Sequence, residues 1–254
     1  MKRMMKMGLM AGVALSAGML NAGVITLEAT GDAWVNGNVP NTNYGTEVNG
    51  SVRNDSTNNY AQHHPLFKFD TAAITSTLNS GETIEVTSVR MRFYTSLSSW
   101  PASPTNFSDV VMYRNTADFS ESTVTWNTKP TTDATEVARL TYFGQSTSPT
   151  YFTGVNTISS GTTGWLEFQS DNVKDLVEGW VNGTVNNYGI TIRGGDNYTG
   201  TNRRFLLSSK ESTNESVRPE IIVDYNVIPE PATLGLFSVS AAGLLMVRRL
   251  FSDG

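Results

Sequence analysis

The feature that most constrains this chain is a two-residue alternation of apolar and polar side chains, repeated along its length. In Leu66-Phe67-Lys68-Phe69-Asp70, Phe67 and Phe69 share one side of an extended backbone while Lys68 and Asp70 share the other. In Val89-Arg90-Met91-Arg92-Phe93-Tyr94, the set Val89, Met91 and Phe93 opposes Arg90, Arg92 and Tyr94. This is the period of half-buried strands, and further strands are predicted at 24–29, 110–114, 137–143, 189–193, 204–208 and 220–225. Gly, Asn, Ser and Thr separate these segments. Charged residues amount to 16% of the chain, against ~25% in an ordinary soluble protein, which suits short strands joined by many turns. The expected fold is all-β, a jelly-roll β-sandwich. One stretch breaks the period: Val173, Leu176, Val177, Trp180 and Val181 recur at helical spacing, with Asp171 placed to cap the start and Gly183 to end it. It predicts one short helix across an end of the sandwich, with Trp180 in the core. No linker or repeat interrupts 23–227, so a single domain is expected there.

The two ends read as addresses. Lys2, Arg3 and Lys6 precede an apolar run of small residues over 7–20, and Leu20-Asn21-Ala22 is a cleavage site before Gly23, the pattern of a signal peptide over 1–22. At the other end, 228–254, Pro229-Glu230-Pro231 leads into an uncharged run over 232–247, then Arg248-Arg249. The run has apolar residues all round its helical circumference, which predicts a membrane segment rather than an amphipathic core helix. It is short for a span, and its arginines would stay cytoplasmic. In order and position these elements resemble the PEP-CTERM sorting signal. That resemblance implies processing by an exosortase and residence at the cell surface or in the extracellular matrix of a Gram-negative bacterium, with Pro229, Glu230, Pro231, Arg248 and Arg249 as the sorting residues. The basic cluster departs from the family pattern in holding only two arginines.

Composition excludes several chemistries. Without cysteine there is no disulfide framework, thiolate nucleophile or Cys-ligated zinc. Setting aside the charged residues of the two tails leaves 13 basic and 21 acidic residues, a net −8, which argues against nucleic acid as a partner. His63 and His64 are the whole histidine inventory. As neighbours on a strand they point to opposite faces, a poor chelate, and no Gly-x-Ser-x-Gly elbow accompanies them. Carboxylates remain in principle for glycoside hydrolysis, with Asp70, Asp118, Glu121, Asp196 and Glu211 as candidates; the bland alternative has Asp118 and Glu121 flanking turns, with Glu121 satisfying backbone donors.

Across most of 29–225 the segments resemble the DNRLRE family of carbohydrate-binding modules. The matching pieces are Gly31-Asp32-Ala33-Trp34-Val35, Asn41-Thr42-Asn43-Tyr44-Gly45, the strands around Phe67 and Met91, and above all Ser120-Glu121-Ser122-Thr123-Val124-Thr125-Trp126-Asn127-Thr128-Lys129-Pro130. Gly179-Trp180-Val181-Asn182-Gly183 and Tyr188-Gly189-Ile190 follow in order. Phe119 and Lys129 depart from the family's usual Trp and Arg. Ser/Thr-rich insertions lie at 96–107 and 145–163. The resemblance implies a β-jelly roll and a non-catalytic module binding polysaccharide, acidic glycans such as alginate included.

Sugar binding uses aromatic faces for pyranose rings, and uronic acids add a demand for Arg or Lys. Lys68, Arg90, Arg92 and Arg193 occupy polar faces of predicted strands, and Tyr94 shares a face with Arg90 and Arg92. If those strands are neighbours they form a basic strip. The competing reading makes them solvated or salt-bridged face residues. Trp34, Tyr44, Tyr60 and Trp100 lie in turn-rich segments, as core lids or sugar platforms, whereas Trp126 is read as packing. No cofactor is expected, with a structural calcium ion kept open for the oxygen-rich loop 32–43. The expectation is an exported, surface-associated, non-catalytic carbohydrate-binding protein for an acidic or matrix polysaccharide; the alternative is a structural matrix protein contacting other proteins.

Overall fold

A computed structural model of the protein describes residues 22–53, 62–96, 109–141, 164–194 and 205–230. Ten strands and two short helices follow in the order β1 (Ala22–Asn36), β2 (Asn49–Val52), β3 (His63–Phe69), α1 (Ala72–Thr75), β4 (Thr83–Ser96), β5 (Asp109–Asn115), β6 (Thr132–Thr141), β7 (Gly164–Phe168), α2 (Asp171–Val181), β8 (Ile190–Gly194), β9 (Phe205–Ser208) and β10 (Glu220–Ile228). All the strand pairings are antiparallel.

The long β1 belongs to both layers of this sandwich. Ala22 to Glu28 pair with β10, and Ala29 to Asn36 pair with β3, with a register shift between Ala29 and Gly31 where the strand changes partner. One layer continues from β10 to β4, which also carries β7 and β9, with β2 beyond β9. The other continues through β3, β8, β5 and β6.

The alternation read in the sequence is what closes these layers on each other. Phe67 and Phe69 of β3 meet Phe93 of β4 with ring centroids 4.7 and 6.4 Å apart, and Phe168 of β7 lies 5.9 Å from Phe93. Met91, Met112, Ile190, Ile192, Ile221 and Val223 complete the centre of this core. Each such side chain contributes about 1.5–3 kcal/mol through removal from water.

A second, smaller core lies on the outer side of the β1–β3 layer. Ala33, Val35 and Leu66 are covered there by Phe119 and Val124, with Trp126 half-buried beside them. The segment 116–131, which contains the Ser-Glu-Ser-Thr-Val-Thr-Trp motif, is therefore a folded cover. Asn43 Nδ2 ties it down by donating to Glu121 O at 2.8 Å and Val124 O at 2.7 Å. Gly45 must be glycine here, because a Cβ would stand 2.2 Å from Glu121 O.

The predicted helix is α2, with Trp180, Val173, Leu176, Val177 and Val181 in the main core. Its cap differs from expectation. Ser170, in extended conformation, accepts from Val173 N through its side chain, and Asp171 is the first helical residue, favourable to the helix dipole. Gly183 follows the C-cap Asn182 with φ +70. Polar residues of α2 also serve as strand neighbours: Glu178 accepts from Val86 N at 2.8 Å, and Asn182 both accepts from Ile84 N and donates to Ile84 O at 2.9 Å. They satisfy an edge of β4 that β7, pairing only with Met91 to Thr95, leaves open.

β2, β7 and α1, each four or five residues long, are not among the predicted elements. β1 runs seven residues past the predicted 24–29, because Gly31 to Asn36, buried on both sides apart from the half-buried Trp34, do not alternate. The predicted signal segment, the membrane segment 232–247, Tyr60, Trp100, Asp196, Pro231, Arg248, Arg249 and most of the Ser/Thr-rich insertions lie outside the described residues.

Candidate functional site

The strands that carry the predicted basic residues are not neighbours. β3 and β8, with Lys68 and Arg193, lie in one layer, and β4, with Arg90, Arg92 and Tyr94, in the other. Since Phe67 and Phe93 meet inside, Lys68 and Arg92 project from opposite sides of the sandwich. The single basic strip is thus divided in two.

Lys68 is engaged by the cover: it pairs with Asp118, donates to Phe119 O, and its ammonium lies 4.5 Å from the Phe119 ring centre. Arg92 is engaged as well. Its Nε lies 3.0 Å from Glu167 Oε1 and its Nη1 2.6 Å from Glu220 Oε1. Trp34, also a candidate, is half-buried, stacked on Tyr44 at 4.0 Å and set against His63 at 5.1 Å. His63 and His64 point to opposite faces, His63 to Ser51 and Trp34, His64 to Trp126.

Arg193 keeps a different company. Its guanidinium carbon lies 4.6 Å over the Tyr113 ring and Nη2 donates to Thr132 Oγ1 at 2.6 Å. At the end of the cover, Lys129 Nζ stands 3.8 Å over the Trp126 ring and donates to Trp126 O at 3.1 Å, while Trp126 meets the ring of His64 at 5.0 Å. Burial lowers the Lys129 pKa, and the charge of Arg193 lowers it further. Burial holds His64 neutral, and Arg193 and Lys129 both disfavour its protonation. Tyr113, Trp126, Lys129 and Arg193 are all half-buried at the surface. Of these the sequence singled out only Arg193 as a ligand residue. Lys129 was visible as a departure from the DNRLRE pattern, three residues from Trp126, but nothing local says that their turn lands beside β8.

A second cluster gathers carboxylates around Lys210. Lys210 Nζ lies 2.8 Å from Glu121 Oε1 and pairs also with Glu211. Glu121 therefore turns to Lys210, where the alternative reading had it satisfy backbone donors of its own loop. Beneath them Asp32, only 3% exposed, accepts from Lys210 N at 2.7 Å. Burial first, and then the carboxylates of Glu211 and Glu121, push the Asp32 pKa up to about 8, against the lowering effect of the Lys210 amide. With Lys210 between Glu121 and Glu211, this is not the open pair of carboxylates that glycoside hydrolysis uses.

The oxygen-rich loop 32–43 uses several of its side chains within the fold. Asp32 is committed to Lys210, Asn36 Oδ1 accepts from Asn38 N, and Asn43 holds the cover. Among the described residues no three His, Asp or Glu side chains are grouped to hold a metal ion. Of the sorting residues, Pro229 and Glu230 follow directly on β10 and are exposed.

The family model described as carbohydrate-binding module family 96 matches residues 23–153. That span takes in β1 to β6 and the whole cover. No curated protein matches the chain.

Proposed function

The chain belongs to carbohydrate-binding module family 96, and on that premise we propose that it holds an anionic polysaccharide on the outer side of the β3–β8–β5 layer. Carbohydrate binding is the role of the family; the ligand class and the place are read from the site. One observation carries the reading: two cations stand over aromatic rings on this side, Lys129 Nζ 3.8 Å over Trp126 and the Arg193 guanidinium carbon 4.6 Å over Tyr113, and the charge of Arg193 adds to burial in lowering the Lys129 pKa. An anion bound beside them meets both charges. A uronate carboxylate suits the pair, since Arg binds carboxylates through a planar fork and Lys as a point charge. Trp126 and Tyr113 flank the two cations and offer apolar edges to a sugar ring.

The wider reading is of an exported, non-catalytic module of DNRLRE type and jelly-roll fold, retained at a Gram-negative surface by a PEP-CTERM tail that an exosortase processes. It would anchor an acidic exopolysaccharide to the cell. The basic start of the chain, the Pro-Glu-Pro box, the apolar run and the two terminal arginines support that reading, as does the commitment of Glu121 and Glu211 to Lys210.

The test is binding of the full chain, purified in mild detergent, to a soluble polyuronate at low and raised salt. Binding is expected to weaken with salt and to fall about tenfold in Lys129→Met, roughly the 1–2 kcal/mol of one charge-assisted contact. Polyuronate binding that ignores both salt and Lys129→Met refutes this site. The absence of binding to any glycan would favour a structural matrix protein instead.

A further inference from the structure

The opposite side of the sandwich carries a different chemistry, to which Trp165, Glu167 and Glu220, beyond the 23–153 match, contribute. Across β1, β10, β4 and β7 the register aligns Glu28, Glu220, Arg92 and Glu167 in one row. Arg92 is fixed from three directions: Glu220 and Glu167 hold its nitrogens, and its guanidinium carbon lies 4.3 Å over the Trp165 ring. Its side chain is 21% exposed. Tyr94 pairs with Trp165 across the two strands and meets its ring edge-on, 5.4 Å away at 82°. Arg90 lies one row along, opposite Ile222, and its side chain forms no hydrogen bond or ion pair among the described residues.

This side is therefore aromatic and polar but not basic. Three carboxylates, Glu28, Glu220 and Glu167, balance Arg92, Arg90 and Arg218, whose Nη1 lies 3.9 Å from Glu28, so this side offers an anionic chain no net charge, where on the other side it meets Lys129 and Arg193. What the row does offer is carboxylate oxygens as acceptors for vicinal hydroxyls, the free donors of Arg90, and the paired rings of Trp165 and Tyr94, already locked in place by Arg92. Rigid aromatics flanked by fixed polar groups recognise flat, hydroxyl-rich rings at low entropic cost.

We infer that Trp165, Tyr94, Arg90, Glu167 and Glu220 form a second carbohydrate site, for an uncharged polysaccharide, on the side opposite the Lys129–Arg193 cluster. The module then bridges two different chains, one neutral and one anionic. The bridging rests on the anionic site proposed above; the neutral site does not.

The experiment measures binding of the full chain in detergent to a soluble neutral β-glucan and, separately, to a polyuronate. Trp165→Ala is expected to weaken β-glucan binding at least tenfold and leave polyuronate binding unchanged. Arg90→Ser is expected to weaken it three- to tenfold, and its fold is not at issue because Arg90 supports nothing around it. Lys129→Met serves as the reciprocal control, lowering polyuronate binding alone. Loss of polyuronate binding by Trp165→Ala would signal misfolding, in which case Arg90→Ser decides. The inference is overturned if the unmodified chain does not bind β-glucan, or if β-glucan binding survives Arg90→Ser and a folded Trp165→Ala intact. Failure of the anionic site alone would show as lost polyuronate binding with β-glucan binding and its Trp165 dependence retained.

Discussion

Asp32→Asn is expected to stabilise the domain at neutral pH and to do nothing near pH 4. Asp32 is buried, accepts from Lys210 N, and faces Glu211 and Glu121. Its pKa of about 8 in the fold, against an ordinary 3.8, means that the folded state keeps a proton which the unfolded chain gives up. Below pH 4 both states hold the proton and folding is unaffected. Between pH 4 and pH 8 the unfolded state alone releases it, so stability falls as pH rises, by about 1.4 kcal/mol per pH unit at most. At pH 7 the full effect amounts to roughly 4 kcal/mol, and relaxation of Lys210, Glu121 and Glu211 lowers the expected gain to about 2–4 kcal/mol. Asparagine is the right probe because it reproduces the protonated acid. Its Oδ1 accepts from Lys210 N, and its Nδ2 presents a donor, as the protonated acid does, toward the neighbouring Glu211 carboxylate. Urea unfolding of wild type and variant at pH 4, 7 and 9, followed by tryptophan fluorescence, reads the difference. A variant less stable than wild type at pH 7, or a difference that does not change with pH, would refute the argument and show that Asp32 is ionised in the fold.

Other substitutions test the way the cover is attached and the helix is capped. Asn43→Ala removes two donations to Glu121 O and Val124 O, and a loss of about 2–3 kcal/mol in urea unfolding is expected. Gly45→Ala pushes a methyl group against Glu121 O; we expect a drop of at least about 3 kcal/mol, seen as reduced Tm by calorimetry. Ser170→Ala removes the hydrogen bond to Val173 N and should cost about 1 kcal/mol, whereas Asp171→Asn should change stability by no more than about 0.5 kcal/mol, an ordering that identifies the cap.

Much of the fold was legible because burial in a two-layer sandwich acts on single side chains. Phe67, Phe69, Met91 and Phe93 had to lie inside, and the period of two said so without reference to any partner strand. The helix spacing of Val173 to Val181 was readable on the same ground. The reading failed where a strand is buried on both sides. Leu66 shares the outward side of β3 with Lys68, yet it lies in the second core, since the cover descends on it from a segment more than fifty residues away. Local sequence carries no mark of that contact. The cap residue was missed for a smaller reason: Ser170 and Asp171 are both good capping types, and only the extended backbone at Ser170 separates them.

The candidate site divides along the same line. Chemical type was set by the sequence: cations on polar strand faces, aromatics in turn-rich segments, no thiols, two histidines unable to act together. Which of these residues meet was decided by the tertiary structure alone. Strand alternation tells which residues share a side of one strand, but it is silent on which strands are neighbours. The pairing order placed β3 and β4 in different layers, so Lys68 and Arg193 parted from Arg90, Arg92 and Tyr94. The descent of the cover onto β1 and β3 brought Lys129 to Arg193 and Glu121 to Lys210. Those encounters join residues more than sixty positions apart, and only a packed core holds such distant segments in one place.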